Sequence, residues 1–168
     1  MSHSNETFDD LFAANNEFTK NFQPHKLTGR ALKGLAIVTC MDSRIDPLKI
    51  VGMKAGDAKI LRNAGARVTE DVLRTLILAT HLLNVSRVLV MPHTDCRMAS
   101  GTEPEVHAAI FEASGVDTRS IEIRTVKDQR AALETDVTRI RTYPLLPTGL
   151  EVVGAIYHVE NGQLAKIC

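Results

Sequence analysis

The chain has 168 residues, 44% of them hydrophobic, and its 20 Lys and Arg balance its 20 Asp and Glu. This length predicts a single domain over residues 1–168, with residues 1–30 as an N-terminal arm. A net charge of zero excludes the basic surface of a nucleic-acid binder and favours a small neutral or anionic substrate. Because the chain has no membrane-spanning apolar run, no signal peptide and only three cysteines, we expect a soluble cytoplasmic protein without a disulfide framework.

The N-terminal arm holds most of the aromatic side chains. Four of the five phenylalanines lie here at a roughly helical spacing, namely Phe8, Phe12, Phe18 and Phe22. The spacing predicts a helix with an aromatic face. That face can be buried either on the chain's own core or on a second subunit, and the sequence leaves both alternatives open.

From residue 34 onward, strand signals alternate with helix signals. Strands are predicted at 35–39, 58–61, 88–91, 120–124 and 150–159, with a short last strand after a turn at 160–163. Helices are predicted at 47–53, from the N-cap Thr69 to Leu83, at 103–113 and at 127–141. This alternation predicts an α/β fold with a central, mostly parallel β-sheet flanked by helices.

Two short motifs that follow predicted strands carry the candidate chemistry. CMDSR at 40–44 follows the first strand, and HTDC at 93–96 follows the third strand after one proline. Ligands bind outside the carboxyl ends of the strands in open parallel sheets. If the first and third strands are neighbours, both motifs face one crevice. Two thiols and one imidazole then make three metal ligands, the number typical of catalytic zinc, which leaves one position for water.

The motifs CMDSR at 40–44, RNAG at 62–65 and HTDC at 93–96, in this order and at these distances, resemble the β-class carbonic anhydrases. HxxC alone is unspecific, whereas CxDSR followed by RNAG and HxxC is specific, and the likeness is strong from 35 to 99. The resemblance implies a homodimer or homotetramer in which the N-terminal helix clasps a partner. It also implies zinc ligands and a catalytic pair, which are Cys40, His93 and Cys96 for the metal and Asp42 with Arg44 for catalysis.

The activity implied by this resemblance is reversible hydration of carbon dioxide to bicarbonate and a proton by zinc-bound hydroxide. Two thiolates cancel the formal charge of the metal, so we expect Asp42 to help by accepting a hydrogen bond from the water. Arg44 would hold Asp42 ionised and away from the metal through two donors. If released, Asp42 could occupy the fourth metal position, so activity is predicted to rise above neutral pH.

The surroundings of the two motifs give further expectations. A narrow substrate pocket is predicted near Ala64, Gly65 and Ala66. Arg62 and Asn63 are expected to shape the turn beside the site rather than to react. The absence of Trp implies that the tryptophan-containing bicarbonate regulatory pocket of some family members is missing.

One departure from the family and two alternative functions stay open at this point. Arg97 stands where the family usually has Gly, so we expect a changed loop shape there. The first alternative is hydrolysis of carbonyl sulfide or carbon disulfide at the same site. The second is a non-catalytic, zinc-stabilised regulatory protein, with Cys168 as a fourth ligand or with Asp42 on the metal.

Overall fold

The computed structural model describes residues 8–23 and 26–168. Within these residues the strands are β1 (Leu35–Cys40), β2 (Ala58–Asn63), β3 (Arg87–Met91), β4 (Glu151–Tyr157) and β5 (Leu164–Lys166). They form one sheet in the order β2-β1-β3-β4-β5, in which β5 is antiparallel to β4 and all other pairs are parallel. The predicted α/β fold with a mostly parallel sheet is confirmed.

Helices connect the strands close to the predicted positions. They are α1 (Asp9–Lys20), α2 (Pro47–Ile50), α3 (Glu70–Leu82), α4 (Glu103–Ser114) and α5 (Gln129–Arg141). The predicted N-cap Thr69 accepts the backbone N–H of Val72, and Asp128 caps α5 in the same way. No helix in the described ranges combines the length and the apolar composition needed to span a bilayer.

The core lies on both faces of the sheet, because successive side chains of a strand point to opposite faces. All six residues of β1 are buried; Ala36 and Val38 pack in one cluster, and Leu35 and Ile37 in the other. The first cluster includes the buried faces of α3 and α5. The second cluster is smaller and contains two cysteines. Two of the three predicted metal ligands, Cys40 and Cys96, therefore belong to the second cluster.

The strand predicted at 120–124 is wrong, because these residues form turns and irregular structure. The carboxylate of Glu103 accepts the backbone N–H groups of Ile123 and Arg124 at 2.7 and 3.2 Å, so a side chain takes donors that a strand would use in a ladder. Arg124 also has a φ of 63°, in the left-handed region. Two of the backbone donors that a strand would use are therefore not available to a neighbouring strand.

The aromatic face of the arm is exposed. No residue of α1 is buried, and Phe8, Phe12 and Phe18 are 73%, 68% and 61% exposed. In the structure this face therefore does not pack on the chain's own core. Its burial on a second subunit stays a prediction. The arm was predicted over residues 1–30, of which 1–7 and 24–25 lie outside the described residues.

Candidate metal centre

The two motifs meet at the carboxyl ends of β1 and β3. These strands are neighbours, with Thr39 opposite Met91 in the parallel register, and Thr39 Oγ1 donates to the Met91 carbonyl at 2.8 Å. Cys40 is the last residue of β1, and His93 follows β3 after Pro92. The expectation that the first and third strands are neighbours is confirmed, and it brings distant parts of the sequence to one end of the sheet.

Three buried side chains place their metal-binding atoms close together. One ligand atom each from Cys40, His93 and Cys96 lies within 4.8 Å of the other two. The two Sγ atoms are 3.9 Å apart, and two sulfurs held by one tetrahedral zinc at about 2.3 Å would be separated by about 3.8 Å. Among the residues that the structure describes, no other group of three or more His, Cys, Asp or Glu meets this spacing.

The imidazole of His93 is oriented for a metal. Its Nδ1 lies 2.8 Å from the Thr94 carbonyl oxygen, which can only accept, so Nδ1 carries the proton and Nε2 offers a lone pair. Within the described residues, Nε2 is the one buried side-chain nitrogen or oxygen without a hydrogen-bond partner. An unpaired polar atom in the interior is costly, and a metal ion bound at Nε2 would remove this cost.

Contacts from two other elements hold the loop that follows β3. Gln129, the first residue of α5, donates from Nε2 to the His93 carbonyl at 2.6 Å. The backbone N–H of Thr94 donates to Tyr157 at 2.9 Å, and Thr94 Oγ1 accepts the N–H of Val159 at 3.0 Å. Sequence reasoning missed Gln129 and Thr94 as supporting residues, because these contacts join residues 36 and 65 positions apart.

The two thiols lie in an apolar environment. Burial raises the pKa of Cys96 to about 11, with smaller contributions from the neighbouring Cys40 thiol and the Asp42 carboxylate. The Cys96 thiol is therefore protonated at neutral pH as long as no metal is bound, and a bound metal must displace that proton. Cys40 Sγ accepts the backbone N–H of Gly65 at 3.4 Å.

Asp42 and Arg44 form a bidentate ion pair beside these ligands. Arg44 Nε donates to Asp42 Oδ1 at 3.0 Å and Nη2 donates to Oδ2 at 2.8 Å, while the Arg44 backbone N–H donates to Oδ1 at 2.9 Å. The hydrogen bonds from the Arg44 side chain hold the pKa of Asp42 far below its usual range. Oδ2 also lies 3.7 Å from His93 Nε2. An ionised carboxylate thus lies beside the imidazole nitrogen that could bind a metal.

Asp95 is a second partner of Arg44 that sequence reasoning did not single out. Its Oδ2 accepts from Arg44 Nη1 at 2.8 Å, and its carbonyl accepts from Nη2 at 3.0 Å. The signal available in the sequence was an acidic residue inside the HTDC motif, together with an arginine inside the CMDSR motif.

Arg62 and Asn63 support the turns around the site, and no contact places them on the ligand atoms. Arg62 Nε donates to the Cys40 carbonyl at 2.9 Å and Nη2 donates to the Asp42 carbonyl at 2.6 Å. Asn63 exchanges two hydrogen bonds with the backbone of Arg67, at 2.7 and 2.9 Å. The Arg62 contacts fix the backbone that carries Cys40 and Asp42, and the Asn63 contacts fix the turn up to Arg67.

The residues predicted to line a substrate pocket form a short 3-10 turn, Ala64–Ala66. Gly65 has a φ of 77° and is buried, and a Cβ at this position would lie 3.1 Å from the Cβ of Met98. Its N–H is already engaged by Cys40 Sγ, so this amide is not free for bicarbonate. Gly65 and Ala66 line a cavity of about 10 Å³ next to Cys96, which has room for about one water.

The backbone at Arg97 does not have the conformation that would favour Gly. Arg97 opens a 3-10 turn, Arg97–Ala99, and it is not among the described residues with a positive φ, so the loop does not require Gly there. The positive φ, 52°, falls on Asp95 instead.

Cys168 packs against the first core cluster beside Gly154, away from Cys40 and Cys96. A Cys3His structural site with Cys168 as fourth ligand is therefore not formed.

Several known proteins are similar to this chain in sequence. The carbonic anhydrase family model matches residues 35–164. β-Carbonic anhydrase 1 of Mycobacterium tuberculosis is 33% identical over 162 residues, which covers 95% of this chain and 96% of that protein. Carbon disulfide hydrolase of Saccharolobus solfataricus is 29% identical over 167 residues, with 82% and 81% covered.

The solved structures agree with the sequence relatives. The crystal structure of the carbonic anhydrase from Streptococcus mutans has a TM-score of 0.89 and 33% sequence identity, and the match covers 100% of both chains. The family model spans most of the chain and includes all three candidate metal ligands. The resemblance first noted in the three motifs thus extends over the whole fold, and the chain belongs to the β-carbonic anhydrase family.

Proposed function

We propose that this protein catalyses the reversible hydration of carbon dioxide to bicarbonate and a proton, with zinc held by Cys40, His93 and Cys96. The observation that carries the proposal is the convergence of two sulfurs and an orphaned imidazole nitrogen with an ionised carboxylate 3.7 Å from that nitrogen. A structural metal site needs no such carboxylate. An enzyme that must orient a water does.

Zinc is the metal that this donor set favours. Thiolate and imidazole ligands suit a borderline-soft ion, and three protein ligands leave the fourth tetrahedral position open. When bound, zinc would lower the pKa of a coordinated water to about 7 and so supply the nucleophile. Because two thiolates and a neutral imidazole balance the charge of a divalent ion, the protein must contribute the rest of the activation.

Asp42 is proposed to make that contribution as a hydrogen-bond acceptor. Its low pKa keeps the carboxylate ionised throughout the physiological range, so it accepts protons in hydrogen bonds and donates none. Oδ2, the oxygen nearest to His93 Nε2, is placed to accept from the attacking water and to fix its lone pair toward carbon dioxide. Arg44 donates to both oxygens and is proposed to keep the carboxylate off the metal. Ala64, Gly65 and Ala66 remain the predicted neighbours of the substrate.

Carbon disulfide or carbonyl sulfide hydrolysis is the second candidate. The observation that favours it is the similarity to carbon disulfide hydrolases, which is only slightly lower than that to β-carbonic anhydrases. These substrates are linear molecules with an electrophilic carbon, so the same nucleophile and the same carboxylate would serve. Carbon dioxide is preferred because the relative of higher identity and coverage is a carbonic anhydrase.

Stopped-flow assays on the purified zinc-loaded protein test both candidates. We expect rapid hydration of carbon dioxide that rises above neutral pH and disappears after zinc is removed by a chelator. A rate that is flat between about pH 6 and 9, the range around ionisation of a zinc-bound water, would contradict a zinc-bound hydroxide as the nucleophile. Hydrogen sulfide release from carbon disulfide without carbon dioxide hydration would establish the second candidate instead.

A homodimer or homotetramer is proposed as the working form. The support is the exposed aromatic face of α1, since exposed apolar patches of this kind are typical of subunit interfaces. Sedimentation equilibrium should give a mass of at least two chains, and Phe12→Ser should weaken the association. A monomeric wild-type protein would contradict this proposal.

A cytoplasmic location is proposed as well, because all three cysteines are free thiols.

A further inference from the structure

Arg44 joins the two loops of the metal centre through Asp95. Its Nη1 donates to Asp95 Oδ2 at 2.8 Å, and its Nη2 donates to the Asp95 carbonyl at 3.0 Å. The same guanidinium binds both carboxylate oxygens of Asp42. One side chain therefore connects the loop after β1 to the metal-binding loop after β3, and Asp95 supplies both acceptors on the far side.

Asp95 adopts an unusual backbone conformation at this contact. Its φ of 52° lies in the left-handed region, which costs free energy for a residue with a side chain but is tolerated by Asp better than by most residues. Such strain persists where surrounding contacts fix it, and it clusters at functional sites. At Asp95 the conformation lets the carbonyl and the carboxylate of one residue reach the same guanidinium.

We propose that Asp95 is a positioning residue that anchors Arg44, so that Arg44 holds the Asp42 carboxylate beside the metal position instead of on it. This inference rests on the proposed function, because the place of Asp42 matters only if a water takes the fourth metal position. An arginine with a second carboxylate partner has fewer orientations open to it. Without Asp95, Arg44 would turn away more often, and Asp42 would approach the metal more often.

Two substitutions at this position keep the backbone conformation possible. Asp95→Gly removes the carboxylate and allows a positive φ without strain. Asp95→Asn keeps the shape and tolerates the same φ, but it offers Arg44 a neutral acceptor. Arg44 and Asp95 are 47% and 79% exposed, so the loss should be modest: kcat should fall about two- to fivefold in Asp95→Gly, as for a solvent-screened ion pair. Asp95→Asn should lie between that variant and the wild type, with KM unchanged in both.

A matched control comes from a second Asp-x-Arg pair. Asp117 accepts from Arg119 Nε and Nη2 at 2.9 and 2.7 Å, outside the metal centre. Asp117→Asn removes a carboxylate charge from an arginine, as Asp95→Asn does, and it should leave kcat at the wild-type value. A fall in kcat in Asp117→Asn as large as in Asp95→Asn would make the effect one of general charge and would overturn the proposal.

Hydrogen exchange of arginine Nε–H groups in the metal-free protein gives a second readout that does not depend on activity. Arg44 Nε donates to Asp42 and Arg119 Nε donates to Asp117, so one spectrum contains the test and its control. In Asp95→Gly the exchange at Arg44 should accelerate about two- to fivefold, whereas exchange at Arg119 should not change.

The outcomes separate this inference from the proposed function. An inactive wild-type protein would refute the function, while faster exchange at Arg44 in Asp95→Gly would still support the anchor. Unchanged exchange at Arg44 together with wild-type kcat would overturn the anchor and leave the function standing. Loss of bound zinc in both Asp95 variants would assign Asp95 to the folding of the loop, and this result would overturn the positioning role as well.

Discussion

Asp42 with Arg44 and Asp117 with Arg119 are two copies of one local structure. In both pairs the backbone N–H and the Nε of the arginine donate to Oδ1 at 2.9 to 3.0 Å, and Nη2 donates to Oδ2 at 2.8 or 2.7 Å. In both pairs the hydrogen bonds from the arginine lower the pKa of the carboxyl group. The same local ion pair thus forms at two places in the chain, in different surroundings.

What differs is the surroundings of the two pairs. Oδ2 of Asp42 lies 3.7 Å from the unpaired Nε2 of His93, next to two buried sulfurs. Asp117 lies on the rim of a surface groove, and His107 beside it already has Thr118 as a hydrogen-bond partner through Nδ1. Arg44 has a further acidic partner on the opposite loop. We therefore expect the neighbours of Asp42 and Arg44, rather than the ion pair itself, to give this pair a catalytic role.

The largest effect is expected when a metal ligand is removed. Cys96→Ser replaces a thiolate by a hydroxyl group that stays protonated and binds zinc poorly, so the protein should lose stoichiometric zinc and its carbon dioxide hydration. Cys168→Ser is the matched control, since this thiol packs beside Gly154 in the other core cluster. Elemental analysis and stopped-flow rates check both variants. Zinc loss in Cys168→Ser would mean that the ligand set has been misassigned.

A large effect is expected when the carboxylate beside the metal ligands loses its charge. Asp42→Asn should reduce kcat by about 100-fold or more, the usual contribution of a positioned proton acceptor, because an amide oxygen is a weaker acceptor and its NH2 group can donate instead. Asp117→Asn makes the same chemical change in the second pair and should keep wild-type kcat. Steady-state kinetics with matched zinc content provide the measurement. Equal rates in the two variants would remove the functional distinction between the pairs.

A smaller effect concerns the protons released when zinc binds. The Cys96 thiol, with its pKa near 11, keeps its proton at neutral pH, whereas Asp42 has already lost its own. Zinc should therefore displace about one proton from Cys96 and none from Asp42. Calorimetric titrations in buffers of different ionisation enthalpy measure this number. Asp42→Asn should release the same number of protons as the wild type, and a lower number in Asp42→Asn would contradict the ionised state of that carboxylate.

The sequence predicted those parts of the site that depend on short motifs and strand ends. A parallel sheet aligns the carboxyl ends of its strands, so the sequence alone could predict that Cys40, His93 and Cys96 lie close together. Asp95 was missed because its role depends on a positive φ and on a contact 51 positions away, neither of which a periodicity contains. The false strand at 120–124 had the right composition, but Glu103 takes its backbone donors from a distance of about twenty residues. In both cases the sequence prediction failed because a side chain contacts a residue that is distant in the sequence.

The smallest effect should be the same for the two ion pairs. In the folded protein an arginine lowers the pKa of both carboxyl groups from the ordinary value of 3.8. Each ionised carboxylate therefore stabilises the fold at pH values above 3.8, and this contribution is lost as the pH falls from 3.8 through the lowered pKa. Asp42→Asn and Asp117→Asn should therefore lower the urea midpoint of the metal-free protein by similar small amounts near neutral pH, and the deficit should shrink at acid pH. A deficit for Asp42→Asn that persists at acid pH would show that this side chain supports the two loops by more than its charge. Equal stability changes with unequal rates would show that the ion pair is a local structural unit and that its function comes from the metal ligands and Asp95 around it.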